Sequence, residues 1–574
     1  MTKRAFHRAI YRFTVLTIMA LVLGIVVSLA AIAFIECVSW LNEVLLISPK
    51  SRIMIQQPIL LTAATILVPM LGGLLVGILF QHYSAEKRPL GPPDAIRSVQ
   101  IRVPLPSVRS GLVSTMASIV SLGCGASVGQ YGPMVYLGAI ASSLVTRLNL
   151  QIPNLRTIAI ACGVAAAIST AFNAPIAGLV FAHEVILRHY SLQAFAPTTV
   201  ASATAYVIAN VIFERPPLFL VEFSGVEYSY EFAIFALLGI VCAILAVSFM
   251  RLTLKVIQLA PKLKLPAIFR PALAGLIVGL VALELPDVLG VGQEVLRFAT
   301  IEGAFDSWEM LLLVFAKIGL TALCIGLGFA GGIFSPSLLI GILFGALFWT
   351  ILELTGLPNS GIVVYAICAM TALTSPIIGA PLTMILIIFE LTRNYDLTIA
   401  TMVAIVFANL AAFRLFGRSM FDVILANSGI NLSAGRDQAM LEQVSILDLP
   451  INDYVRMDVD DQISTAIQVF KNSNRSEAAV TDLNGTYWGV LRLLDVLDQT
   501  DQKISELMHK DWSQFDENTS LWKAMYTIEG FIGEAIPIVS SRDGELLGMI
   551  TEADLIAAYM KISHDIRDEE NEAV

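Results

Sequence analysis

Two short stretches hold the residues best placed to do chemistry. GQYGP (Gly129–Pro133) and GIFSP (Gly332–Pro336) each set glycine and then proline at what reads as a helix start. A helix N-terminus presents unpaired N–H groups and a partial positive charge. Proline in the first turn forfeits no hydrogen bond, and glycine lets the backbone come close to a bound ion. LGPPDA (Leu90–Ala95) has the same character. Starts of this kind suit a monovalent anion, because N–H groups bind it without a formal charge to trap it, which permits passage. One Gly/Pro start marks an ordinary helix beginning; three in one apolar region, two of them related by a repeat, point to a site.

The repeat is legible in paired motifs. GQYGPMVYLG and GIFSPSLLIG share G-x-x-x-P-x-x-x-x-G. APIAGLVFAHE (Ala174–Glu184) and APLTMILIIFE (Ala380–Glu390) share Ala-Pro with Glu nine residues beyond the proline. Pro133 and Pro336 lie 203 residues apart, and Pro175 and Pro381 lie 206 apart. Transporter repeats often run in inverted topology and place the substrate where broken helices meet. Apolar runs such as Met134–Val145, Ile158–Ala171 and Ile362–Leu373 are short, and irregular backbone at membrane depth is tolerated only inside protein or along a cavity. Few charges fall in the apolar runs. Lys317 reads as snorkelling or carboxylate-paired, with an anion-attracting role as the alternative. Glu184 and Glu390 occupy equivalent positions and read first as structural partners of helix ends.

These motifs need a membrane scaffold, and the composition supplies one. Of 574 residues 56% are hydrophobic and 14% charged, against about a quarter charged in soluble proteins, and mean hydropathy is +0.76. Spanning-length runs recur from Phe13 to Phe416. MTKRAFHRAIYRF precedes the first run and reads as the cytoplasmic flank of a membrane helix rather than a signal peptide. The six cysteines lie in or beside apolar runs without a CxxC pair and read as small core residues. The net charge of −10 argues against nucleic acid as a partner, and no catalytic triad, metal cluster or phosphate loop suggests an enzyme.

After about Leu425 the composition turns mixed. We expect a membrane domain over 1–425, with repeat halves at 55–215 and 230–420, a linker at 426–444, two α/β units at 445–503 and 504–564, and an acidic tail at 565–574. VTDLNGTYWGVLRLLDVL and IVSSRDGELLGMITEADLIAAY each read as strand, Gly turn, strand and helix.

The motifs resemble those of the CLC family of chloride channels and chloride/proton antiporters. GIFSP resembles its G-x-F-x-P motif and GQYGP its G-[KR]-E-G-P motif; AFNAPIAGLVFAHE and GAPLTMILIIFELTRNYD fit long family stretches. The two C-terminal units resemble a CBS-domain pair. The resemblance implies an all-α polytopic membrane protein with two inverted repeats, a homodimer with one pore per subunit, a cell (inner) membrane location and a cytoplasmic CBS pair. It implies that Ile333 and Phe334 N–H groups bind a central anion, beside Gly332, and that the Gly129–Pro133 start, with Gly132, binds an outer one.

The departures bear on mechanism. Tyr131 stands where the family motif has a pore-blocking, proton-relaying glutamate, and Gln130 replaces the basic residue before it. Val185 stands where antiporters commonly carry a second glutamate. Gapless alignment puts Leu90, next to Gly91, at the family's inner-pore serine, and a shifted register offers Pro92 instead. Phe421 takes the place of the pore tyrosine. A tyrosine near pKa 10 does not shuttle protons at neutral pH and valine never does. The expectation is therefore passive anion permeation, chloride by default, with bicarbonate or nitrate as alternatives, Tyr131 as gate candidate and no required cofactor. An antiporter using His183 or Glu184 and a non-conducting nucleotide sensor are the competing classes. In the CBS-like pattern G-h-x-[ST]-x-x-D, Thr551 and Asp554 complete the second unit, while the first keeps Asp495 and places Arg492 at the hydroxyl position. ATP, ADP or AMP is the regulatory ligand this implies, against a purely structural pair.

Overall fold

The computed structural model describes residues 3–54, 57–145, 147, 152, 154–215, 225–449, 454–473, 475–497 and 502–571. The chain divides into a helical unit ending at Gly429 and an α/β unit over Ile430–Asn571.

In the helical unit, α1 (Lys3–Val44), the short α2 (Pro49–Ile53) and α3 (Pro58–Tyr83) are followed by α4 (Pro92–Gln100), α5 (Val108–Gly123) and α6 (Tyr131–Val145). Then come α7 (Leu155–Phe172), α8 (Pro175–Phe181), whose last turn widens over Ala182–Leu187, and α9 (Leu192–Tyr206). The second half runs α10 (Glu231–Leu259), α11 (Arg270–Val281), α12 (Gln293–Phe298), α13 (Ser307–Gly326), α14 (Phe334–Glu353), α15 (Ile362–Ile378), α16 (Pro381–Thr392) and α17 (Tyr395–Leu415). A last helix, α18 (Met420–Asn427), closes the unit.

The halves pack alike: α6 on α7 as α14 on α15, α7 on α9 as α15 on α17, and α1 on α9 as α10 on α17. The first half therefore starts with α1, earlier than the expected residue 55, and α1 is an integral helix. Proline at N1 opens α8 and α16, and the break before each is a left-handed residue, Asn173 (φ 54°) or Gly379 (φ 77°). Such a residue ends one helix and frees the chain to start another. Gly138 and Gly163 let α6 and α7 cross at backbone contact: a Cβ on either lies 2.3 Å from the other's carbonyl oxygen. Among the described residues eight helices are long and apolar enough to span a bilayer, and six apolar ones are shorter. Of the shorter ones α6, α8 and α16 carry motif residues, while GIFSP opens α14, one of the eight.

The second unit begins with α19 (Arg436–Leu441), inside the expected linker. It contains β1 (Val455–Asp458), α20 (Ile463–Asn472), β2 (Glu477–Thr481), β3 (Tyr487–Arg492), α21 (Leu493–Val496) and α22 (Ile504–Leu507). It repeats with β4 (Phe515–Asp516), α23 (Leu521–Thr527), β5 (Ala535–Val539), β6 (Leu546–Thr551) and α24 (Glu552–Asn571). Both sheets have a parallel then an antiparallel pair, with a register shift at Val480/Thr481 and at Ile538/Val539. Two boundaries differ from expectation. Ile446 donates to Thr519 O and joins the core of Phe515 and Leu521, so the start of the expected first CBS unit belongs to the second. The acidic tail continues α24 as far as Asn571.

Candidate functional site

The two motif helices meet start to start. Gly129 N–H donates to Gly332 O and Gly332 N–H donates to Gly129 O, both at 2.7 Å. This two-bond antiparallel bridge ties the repeats together just ahead of α6 and α14. It demands bare backbone: a Cβ on Gly129 lies 2.9 Å from Gly332 O, and one on Gly132 lies 3.2 Å from Gly332 Cα.

The bridge changes which donors face an ion. Gly129, Gly332 and Gln130 have their N–H groups committed, Gln130 to Ser335 Oγ at 3.2 Å. Among the described residues, the N–H groups of Tyr131, Gly132, Ile333 and Phe334 find no acceptor. The four residues line a chamber of about 20 Å³ together with Pro92, Val135, Phe181, Gly332 and Phe421, and the wall they present to it is apolar. That volume holds about one water. Gln130 instead borders a cavity of about 340 Å³ shared with Arg52, Asp287 and Glu294.

Tyr131 lines the chamber and is packed among aromatic rings. It is 3% exposed, stacked on Phe172 at 4.2 Å and edge-on to Phe334 at 5.2 Å. Phe172 and Phe334 touch each other at 5.3 Å, which completes a three-ring cluster. The Tyr131 hydroxyl interacts with the Gln130 side chain and lies within the field of the Arg215 guanidinium.

Leu90 does not line the chamber, contrary to the gapless alignment. It packs on Tyr136 and Ile140, and its N–H donates to Ser114 Oγ at 3.0 Å. Gly91 is the N-cap of α4, with its N–H on Asp94 Oδ2, and Pro92 is the residue that reaches the chamber. The proline doublet hid this register. Phe181, which lines the chamber, and Phe172, which stacks on Tyr131, carry no role in the sequence reading. Phe172 has one sequence signal, its place before the Asn–Ala–Pro break.

Lys317 is fully buried, and its ammonium donates to Val288 O and Gly290 O, both at 2.9 Å. It neither snorkels nor hydrogen-bonds a carboxylate; it pins the loop that walls the larger cavity. Glu184 accepts from Leu382 N–H, Thr383 N–H and Thr383 Oγ1 at the start of α16. Glu390 accepts from Ile176 and Ala177 N–H at the start of α8. Each half thus caps the other half's helix, which is favourable charge at a positive helix end. Val185 faces a separate cavity with His183.

This architecture matches known proteins. Residues 72–412 match the family model of the voltage-gated chloride channel, and residues 504–561 match the CBS domain. The chain belongs to the CLC family. A putative ClcB-like chloride channel protein of Ralstonia nicotianae is 30% identical over 417 residues, covering 71% of this chain and 95% of the relative. ClcB of Escherichia coli, described as a voltage-gated ClC-type chloride channel, is 28% identical over 414 residues, 70% of this chain and 97% of its own. Among solved structures, a slow cyanobacterial Cl⁻/H⁺ antiporter superposes with a TM-score of 0.65 at 25% identity, covering 72% of this chain and 97% of its own. A eukaryotic CLC transporter shares the fold at 18% identity, with a TM-score of 0.62 over 95% of this chain and 98% of its own. This CLC protein is accordingly a multi-pass membrane transporter or channel for anions, with CBS units at its C-terminal end.

In the CBS unit, Asp495 is held by Arg492 at 2.8 and 3.0 Å and by His509 Nε2 at 2.8 Å. Asp554 accepts from the Thr551 hydroxyl at 2.6 Å and its N–H at 3.1 Å, and so caps α24. Thr551 borders a cavity of about 20 Å³ with Tyr454, Arg475, Glu477 and Glu534. Glu477 accepts from Glu534 and Ala535 N–H, and Glu534 accepts from Ser476, so two carboxylates lock the units together. The Arg492 guanidinium, then His509, hold the Asp495 carboxyl below the usual carboxylate range. A depressed folded-state pKa gives stability that is present above the unfolded value, about 3.9, and is lost as pH falls through the folded value. The urea midpoint of the Ile430–Asn571 segment is expected to drop below about pH 4, with a shallower drop in Asp495→Asn.

Proposed function

We propose that this CLC protein carries monovalent anions passively, chloride by default, and moves no protons. The supporting observation is Tyr131, the first residue of α6, which lines the chamber beside Gly132, Ile333 and Phe334. Val185 removes the second carboxylate, and Glu184 is saturated by α16. The site offers backbone donors and aromatic edges, so it holds an anion by N–H dipoles in an apolar shell. Weakly hydrated anions such as nitrate are expected to pass at least as fast as chloride, and fluoride slowest, since apolar walls return little of its hydration energy.

The test is simultaneous anion and proton flux from liposomes. Anion efflux with no proton movement beyond protein-free vesicles is expected; proton pumping driven by an anion gradient overturns the reading. Exposed apolar residues on α8 and α16, Ile176 and Leu382, fit a homodimer contact of the family kind. The basic N-terminal flank fits a cell membrane location with the CBS pair cytoplasmic.

For the CBS pair we propose a structural role. Its signature aspartates are spent on internal bonds, and a cavity of about 20 Å³ is far below the roughly 300 Å³ of a small-molecule site. Calorimetry with ATP, ADP and AMP is expected to give dilution heats alone; saturable heat with any of them restores nucleotide regulation.

A further inference from the structure

The cavity beside Gln130 takes no part in the reading above. It measures about 340 Å³, within the roughly 300–1,000 Å³ of a small-molecule site. Residues from the end of α1, from α2 and from the loop into α12 form its wall. Part of that wall is apolar, with Ile47 and Leu289 both buried.

Gln130 is 2% exposed, yet it borders this open volume. A primary amide carries two N–H donors and an oxygen with two lone pairs. The Tyr131 hydroxyl engages one of these positions, and the Ser335 hydroxyl takes only the backbone N–H. Whichever way the Tyr131 contact is made, at least one lone pair of the amide oxygen stays free. The amide is not sealed off, unlike the buried hydroxyl of Tyr136, so a solute in the cavity reaches it.

The charges on the wall choose the solute. Glu43, Asp287 and Glu294 all contribute to it, and none makes a hydrogen bond or an ion pair through its carboxylate among the described residues. Glu43 and Glu294 are exposed, and Asp287 is half-buried. The basic residue of the wall is Arg52, which donates through Nη1 to Thr65 Oγ1 at 2.9 Å and to Leu46 O at 3.4 Å. Lys317 lies behind the wall and its field reaches Asp287, but its ammonium is spent on Val288 O and Gly290 O. Three carboxylates against one guanidinium repel an anion and attract a cation. The described residues bring no three acidic, histidine or cysteine groups together as metal ligands, so a bare metal ion is a poor match.

We propose that this cavity binds a small organic cation, a guanidinium or primary ammonium with a short apolar tail, and that its occupancy holds Tyr131 in place. The N–H groups of the cation meet the carboxylates in charge-assisted hydrogen bonds and the Gln130 amide oxygen in a neutral one. The tail covers the apolar part of the wall. A Tyr131 ring that leaves the chamber moves into the space beside Gln130, and an occupant fills that space. Anion flux therefore falls when the cavity is filled. The effect on flux rests on the passive reading with Tyr131 as its gate; the binding does not.

The experiment uses butylguanidinium, with butylurea as a neutral probe of the same shape. Calorimetry on the purified full-length protein in detergent is expected to give saturable binding of butylguanidinium and none of butylurea. The Asp287→Asn/Glu294→Gln double variant is expected to bind butylguanidinium roughly 2- to 30-fold more weakly, as two partly exposed carboxylate partners are lost. No saturable heat from butylguanidinium, or equal binding of butylurea, overturns the site. If the double variant does not fold, the comparison of the two probes on the wild type decides alone. Chloride efflux from liposomes is then followed with each probe on both sides and proton flux recorded alongside. Butylguanidinium at saturation is expected to lower efflux by about twofold or more, and butylurea to leave it unchanged. Saturable binding with unchanged efflux keeps the cation site and overturns its hold on Tyr131. Proton pumping driven by the anion gradient overturns the passive reading and leaves the binding result standing.

Discussion

Tyr131→Ala is expected to raise anion flux by roughly 5- to 150-fold. The ring makes two aromatic contacts, stacked on Phe172 and edge-on to Phe334. Each is worth about 0.5–1.5 kcal/mol beyond simple burial, so parting both costs roughly 1–3 kcal/mol. If an anion passes only when the ring leaves the chamber, that cost sets the closed-to-open ratio, at about 1.4 kcal/mol per factor of ten. Alanine removes both contacts and opens the volume the ring filled. Tyr131→Phe keeps the stack and loses only the hydroxyl, so its flux is expected within about twofold of wild type if stacking holds the gate. Halide efflux at matched protein density measures all three. Equal flux in wild type and Tyr131→Ala sinks the gate and makes the ring a packing residue. A large gain in Tyr131→Phe moves the gate from the stack to the hydroxyl, toward Gln130 and Arg215.

The same residues show what the sequence can and cannot express. The helix starts were legible because Gly and Pro act locally, through backbone freedom and a fixed φ. The two halves were legible because paired motifs sit at nearly one spacing. What stayed hidden depends on partners far along the chain. The Gly129–Gly332 bridge withdraws two N–H groups that the motifs alone advertise as anion donors. Leu90 was placed at the pore by alignment, yet a proline doublet allows more than one register, and packing on Tyr136 chose another. Lys317 suggested a carboxylate or an anion; its actual partners are two carbonyls, which no side-chain pattern encodes. The aromatic cluster draws Phe172 from one half and Phe334 from the other, so neither residue signals it alone.

Glu184→Gln and Glu390→Gln are each expected to destabilise the helical unit by about 2–4 kcal/mol, with the larger loss at Glu184. Each carboxylate accepts backbone N–H groups from the opposite half, three donors in all for Glu184 and two for Glu390. A hydrogen bond to a charged group contributes about 1.5–3 kcal/mol, less here because both glutamates are partly exposed. An amide offers one acceptor oxygen and turns its NH₂ toward N–H groups, so donors are left unpaired. The two caps brace one helix pair, α8 against α16, so their losses should not add. Once one cap is gone the helices part, and the double variant is expected to lose less than the sum of the singles, by about 0.5–3 kcal/mol. Unfolding midpoints of the purified protein in one detergent give all four corners of the cycle. The measurement also bears on mechanism. A carboxylate that holds α16 is not free to carry protons, so Glu184→Gln should lower stability and leave proton movement at the level of protein-free vesicles. Unchanged stability together with altered proton movement would reverse the assignment and make Glu184 a relay in place of the missing carboxylate at Val185.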